Sequence, residues 1–99
     1  MYYVYVLHCG DGNLYTGYSA DLKARLKCHH DGRVLSTKGR RPVELVFYEA
    51  FAVKSDAIRR EGYLKTTAGK RAIKLMLREW FKAKDGGTPS VAEDSPNTD

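Results

Sequence analysis

Residues 2–18 read YYVYVLHCGDGNLYTGY, and this stretch decides the fold. From Tyr2 to Leu7 every residue is β-branched, aromatic or aliphatic; Gly10-Asp11-Gly12-Asn13 is a turn signal; Asn13 to Tyr18 resumes the earlier character. Such side chains fit a pleated, half-buried surface, and glycine beside Asp or Asn supplies the backbone geometry that reverses a strand. A β-hairpin is therefore expected, with Tyr3 and Tyr5 on one face of its first strand by period-two alternation.

Downstream, Ser19 can cap a helix over residues 20–30, in which Leu22, Arg25, Leu26 and His29 share a stripe and Asp31-Gly32 ends the helix. Residues 33–42 are polar and basic and close on Pro42, the signature of a loop. Residues 43–51 suit a third strand, and a helix is expected from Ser55 or Asp56 to about Lys65. A last helix from about Gly69 to Lys82 puts Ala72, Ile73, Met76, Leu77 and Trp80 on one face, with Lys70, Arg71, Lys74 and Arg78 largely on the other. Three strands and three helices in this order make an α+β domain.

With 99 residues, 42% hydrophobic and 29% charged, the chain has room for one modest core and no separate reading domain. Residues 1–82 are expected to be that domain, and the polar residues 83–99 a disordered acidic tail with too little apolar surface to offset the entropy of ordering. The net charge of +5 divides accordingly: residues 1–82 carry 16 Lys or Arg against 8 Asp or Glu, while the tail sets Lys84 against Asp85, Glu93, Asp94 and Asp99. A basic domain of this size rewards a polyphosphate partner through counterion release.

Charged residues interrupt every apolar run and no basic leader precedes Tyr2, so neither a membrane span nor a signal peptide is expected, and the location read from this is cytoplasmic. Cys9 and Cys28 are too few for a disulfide framework. Together with His8, His29 and His30 they could supply zinc ligands, but their spacing matches no familiar ligand pattern.

Three features are unexpected in a domain that only folds. Glu61 shares its stripe with Ala57, Ile58 and Leu64, where an ionised carboxylate is costly unless it is paired, with Lys65 at i+4 for instance, or holds a metal. Arg25 and His29 stack at four-residue spacing beside Leu22 and Leu26, two potential cations next to an apolar stripe. Seven of the eleven aromatic residues are tyrosines, and Tyr3, Tyr5 and Tyr15 lie in the hairpin.

Read in order, Tyr3-Val4-Tyr5, Tyr15-Thr16-Gly17, Asp21 to Leu26 with His29, and Arg60-Glu61-Gly62-Tyr63-Leu64-Lys65 resemble the GIY-YIG endonuclease family. The likeness spans roughly residues 2–80 and is strongest to short stand-alone members similar to the nuclease domain at the start of the excinuclease subunit UvrC. The departures are Tyr3 in place of the first glycine, Val4 as the middle residue of that triad, Thr16 in place of an aliphatic residue, and Tyr18 in place of a lysine of UvrC.

The resemblance implies a small three-stranded antiparallel sheet flanked by about three helices, and metal-dependent hydrolysis of DNA phosphodiester bonds. It assigns catalytic places to Tyr5, Tyr15, Arg25, His29 and Glu61, with Gly17 and Tyr18 in support and Glu61 as the ligand of Mg²⁺ or Mn²⁺. Tyr5, with a lowered pKa and oriented by Tyr15, is the favoured proton acceptor; Tyr15 itself and His29 remain alternatives. Arg33, Lys38, Arg40, Arg41, Lys65, Lys70, Arg71 and Lys74 are expected to track the backbone of branched or damaged DNA without reading bases, leaving target choice to DNA structure or a protein partner. A role in repair or recombination is implied by family alone. The competing readings are a non-catalytic nucleic-acid-binding domain of the same fold and a protein-interaction domain whose basic face meets an acidic partner.

Overall fold

The computed structural model describes residues 1–86. Its elements are β1 (Tyr2–Cys9), β2 (Leu14–Ser19), α1 (Leu22–His30), α2 (Leu35–Lys38), β3 (Val43–Phe51), α3 (Lys54–Leu64), α4 (Thr67–Met76) and α5 (Arg78–Gly86). The hairpin forms as expected, with β1 and β2 antiparallel, Tyr5 opposite Gly17 and Leu7 opposite Tyr15. β3 pairs antiparallel with the other edge of β1, so the order is β2-β1-β3 and β1 is central.

A central strand covered on both sides explains the unbroken apolar run at the N-terminus. Val4 and Val6 pack against Ala57, Leu64 and Ile73 of α3 and α4. Tyr5, Leu7 and Cys9 point the other way, toward Val43 and toward Leu22 and Leu26 of α1. Each aliphatic side chain withdrawn fully from water contributes about 1.5–3 kcal/mol, so these two half-cores are the main stabilising term. A register shift between Val6 and Leu7 leaves Val46 unpaired on β3. The bulge lets Val46 and Phe47 both reach the α3 side, while Leu45 returns to the α1 side.

Helix boundaries depart from expectation in instructive ways. α1 is capped by Asp21, whose carboxylate accepts from the Ala24 amide at 3.1 Å, and not by Ser19, whose hydroxyl closes a tight turn on the Asp21 backbone. A carboxylate is the better acceptor at the positive end of a helix. α3 begins one residue before Ser55, with Val53 at the cap position and no side-chain cap. The basic loop contains the short helix α2, and its Thr37 is fully buried.

The single last helix is two, broken at Leu77. Leu77 turns into the Val4–Leu64 cluster, Met76 is left largely exposed, and Trp80 swings onto His8 with ring centroids 5.0 Å apart. Among the described residues, five helices therefore flank the sheet. α5 runs four residues past the boundary expected at 82, and the rest of the expected tail, residues 87–99, lies outside the described residues. Among the described residues no helix is long and apolar enough to cross a membrane.

Candidate active site

The α1-facing side of the hairpin gathers Tyr5 and Tyr15, and α1 lays Arg25 and His29 across them. Tyr5 is fully buried, with its hydroxyl 2.7 Å from His29 Nε2. The His29 ring meets Tyr5 and Tyr15 edge-on, with centroids 5.5 Å and 5.3 Å away, and the two phenols are tilted against each other at 6.4 Å. Gly17 makes this packing possible, because a Cβ on it would overlap Cζ and Oη of Tyr5.

His29 is completely enclosed, and its second nitrogen, Nδ1, lies 2.7 Å from Thr37 Oγ1 of α2. Burial, with the Arg25 charge and then His30 adding to it, pushes the imidazole down to about 4, so it is neutral near pH 7. A neutral imidazole donates through one nitrogen and accepts through the other. The Arg25 cation beside the Tyr5 oxygen favours turning the phenol proton away, toward Nε2; Nδ1–H then donates to Thr37. Thr37 escaped the sequence reading because a lone threonine in a polar stretch carries no periodic signal.

Two consequences can be measured. His29 is protonated more readily in the unfolded chain than in the folded one, so its contribution is complete above pH 6.5 and is lost as pH falls toward 4, by up to about 3 kcal/mol. Urea unfolding at a series of pH values should show that slope, and His29→Gln should flatten it; an identical slope in the variant would remove His29 as its source. Thr37→Val keeps the shape but strips the acceptor from buried Nδ1–H, which should cost about 1–3 kcal/mol and mix the imidazole tautomers seen by nitrogen NMR. Unchanged stability and imidazole shifts would show that Thr37 does not hold the ring.

Burial raises the Tyr5 hydroxyl, and the nearby Arg25 offsets only part of that effect. This corrects the expectation of a lowered pKa: the ring's enclosure outweighs the cation. Glu61 contributes to the same shift, so its charge is felt at Tyr5. The Glu61 side chain is only 22% exposed, with Oε2 3.2 Å from Lys65 Nζ, the i+4 pair that the spacing anticipates. Its neighbour Arg60 grips both oxygens of Glu49 at 2.9 Å and 3.1 Å, which ties α3 to β3 and fixes the rotation at which Glu61 is presented.

Arg25 is the site's conspicuous donor. Its Nε is buried without a hydrogen-bond partner, and the guanidinium lies close enough to the Tyr5 and Tyr15 hydroxyls for their charges to act on it. Among the described residues no three His, Cys, Asp or Glu cluster as a metal cage. One carboxylate is a hard oxygen donor that suits a cation keeping most of its waters, such as Mg²⁺ or Mn²⁺, and does not suit zinc.

The remaining candidates divide. Tyr18 pairs with Val4 and packs on the α3 side of the sheet, opposite Tyr5. Arg40 binds Asp11 at 2.7 Å, Arg33 binds Asp31 at 3.0 Å, and Arg41 donates to the carbonyls of Lys38 and His30 at 3.1 Å and 3.2 Å. Lys38 and Arg41 border a small hollow with His30, while Lys65, Lys70 and Lys74 line a larger groove that begins at Tyr15. Arg71 is exposed and does not line that groove.

Residues 1–74 match the profile of the GIY-YIG catalytic domain. A UPF0213 protein of Staphylococcus epidermidis is 43% identical over 76 residues, covering 76% of this chain and 93% of that protein. One from Staphylococcus aureus is 42% identical over 76 residues with the same coverage. The solution NMR structure of a UPF0213 protein from Bacillus halodurans aligns with a TM-score of 0.52 at 34% identity, covering 93% of this chain and 100% of that one.

Proposed function

Because this chain belongs to the GIY-YIG catalytic domain family, we propose that it is a metal-dependent endonuclease that hydrolyses DNA phosphodiester bonds in repair or recombination. The observation that carries this is the buried, unpartnered Nε of Arg25, held beside two phenols. An unsatisfied charged donor is costly, and a phosphate oxygen satisfies it in the geometry that guanidinium matches best.

In this scheme Glu61 holds Mg²⁺ or Mn²⁺ through oxygen; the ion, when bound, supplies positive charge at the phosphate and acidifies water. Arg25 neutralises a non-bridging oxygen as charge builds there. Tyr5 takes the proton of the attacking water while passing its own to His29 Nε2. Such a relay needs no preformed phenolate, which accords with a hydroxyl that burial keeps protonated. Tyr15 packs against both rings and holds them in register.

Arg33, Lys38, Arg40, Arg41, Lys65, Lys70, Arg71 and Lys74 would supply phosphate contacts that carry affinity and no base sequence. Target choice then falls to DNA shape or to a protein partner. One observation favours the other reading, a non-catalytic DNA-binding domain: Lys65 already neutralises Glu61. Supercoiled plasmid and branched DNA, incubated with Mn²⁺, Mg²⁺ or EDTA, separate the two. A nuclease of this kind nicks only with metal; retardation of DNA without nicking in either metal would leave the binding domain.

A further inference from the structure

A groove of ≈ 920 Å³ is lined by the hairpin turn and the start of β2, Tyr15 included, by Lys65 just past α3, by α4, and by Arg78 and Phe81 of α5. Lys65, Lys70, Lys74 and Arg78 line it, and no Asp or Glu does. Lys70 and Lys74 lie one turn apart on α4 and so share a face, and Arg78 joins them from the start of α5 beyond the break at Leu77, with one guanidinium nitrogen donating to the Leu75 carbonyl. Among the described residues none of these three forms an ion pair, whereas Arg33, Arg40, Arg59 and Arg60 are each held by a carboxylate. Two rings also line it, Tyr15, which packs against His29, and Phe81, which packs against Trp80.

We propose that this groove is a subsite for one unpaired strand of DNA, which it feeds across Tyr15 toward Arg25. Cations gathered beside aromatic rings are how proteins hold single strands: the charges track the backbone, and the rings stack on bases that a duplex would keep paired. Its volume takes a few nucleotides of a single strand. A duplex laid over it would place its phosphates on the rim and leave Tyr15 and Phe81 without bases to stack on. The inference rests on the nuclease reading for its direction: the strand that enters is the strand to be cut, and the substrate class becomes DNA with an unpaired segment at the junction, a flap or a splayed fork.

The test measures binding apart from cleavage. Fluorescein-labelled single-stranded and duplex oligonucleotides of equal length are titrated with full-length protein in EDTA, followed by anisotropy, using wild type, Lys70→Glu/Lys74→Glu, and the control Lys23→Glu/Lys54→Glu, whose exposed lysines lie outside the groove. Thermal unfolding checks that both variants are folded. The groove variant should lose about tenfold or more in single-strand affinity, with a salt slope shallower by about 1.4, two phosphate contacts at about 0.7 each; the control should bind near wild type. Phe81→Ala should weaken single-strand binding and leave duplex binding unchanged. Equal losses for single strand and duplex, or equal losses in the control, overturn the proposal. Wild-type protein that nicks with metal while the groove variant nicks and binds like it also overturns the groove and leaves the nuclease standing. Groove-dependent single-strand binding without nicking in any metal does the reverse.

Discussion

Glu61→Gln should abolish metal-dependent nicking, lowering its rate by about three orders of magnitude or more while the protein stays folded. The substitution is isosteric and removes only charge, so the carboxamide keeps the side chain's place between Ala57 and Leu64 but gives up the sole carboxylate oxygens proposed to hold the ion. Metal-derived stabilisation of a phosphodiester transition state is worth several kcal/mol, and each 1.36 kcal/mol is tenfold in rate. The lost pair with Lys65 has little bearing on folding, because its lysine end is half exposed and an i,i+4 pair with one solvated partner contributes about 1 kcal/mol at most. Plasmid nicking in Mn²⁺ and thermal unfolding, run in parallel, give the two readouts. A folded variant that nicks at the wild-type rate would remove Glu61 from the chemistry.

Gly17→Ala should damage both stability and activity. The added methyl would occupy the space of the Tyr5 phenol end, with Cε1 only 2.9 Å away, and that ring has no slack because it is enclosed on all sides. Overpacking of this kind costs about 1–3 kcal/mol. Moving the phenol also strands His29 Nε2, a buried acceptor worth about 1–3 kcal/mol more. In a domain this small each kcal/mol moves Tm by about 4–8 °C, so a fall on the order of 10–20 °C is expected, with loss of nicking in whatever remains folded. A wild-type Tm would mean that Tyr5 does not lie against Gly17.

Much of the architecture was legible because its signals are local. The hairpin is written in consecutive β-formers around a Gly-Asp-Gly-Asn turn, and its register follows from the turn. Asp31-Gly32 ends α1 as the pattern implies. The break at Leu77 was not legible, since residues 69–82 keep a continuous apolar stripe; only the pull of the Val4–Leu64 cluster and of His8 divides it. The meeting of Tyr5, Tyr15, Arg25 and His29 came through the spacing of the motifs, but the protonation of Tyr5 did not. Whether Tyr5 is acidified or kept protonated depends on how deeply the ring is enclosed relative to its distance from Arg25, and no sequence interval encodes that. Thr37 was invisible for a related reason, because its role is defined by a side chain eight residues away. The eight basic residues grouped by composition prove to be different things: some brace loops against Asp11 and Asp31, and others line an open groove.

The kink at Leu77 has a practical use. It places the chain's lone indole, Trp80, between His8, Phe81 and the Lys84 ammonium, where α5 meets the sheet. Ultraviolet emission from the unlabelled protein therefore reports on one joint. Peeling α5 from the sheet would move the fluorophore into water and shift its spectrum to the red, and a nucleobase arriving at Phe81 would disturb its immediate neighbour.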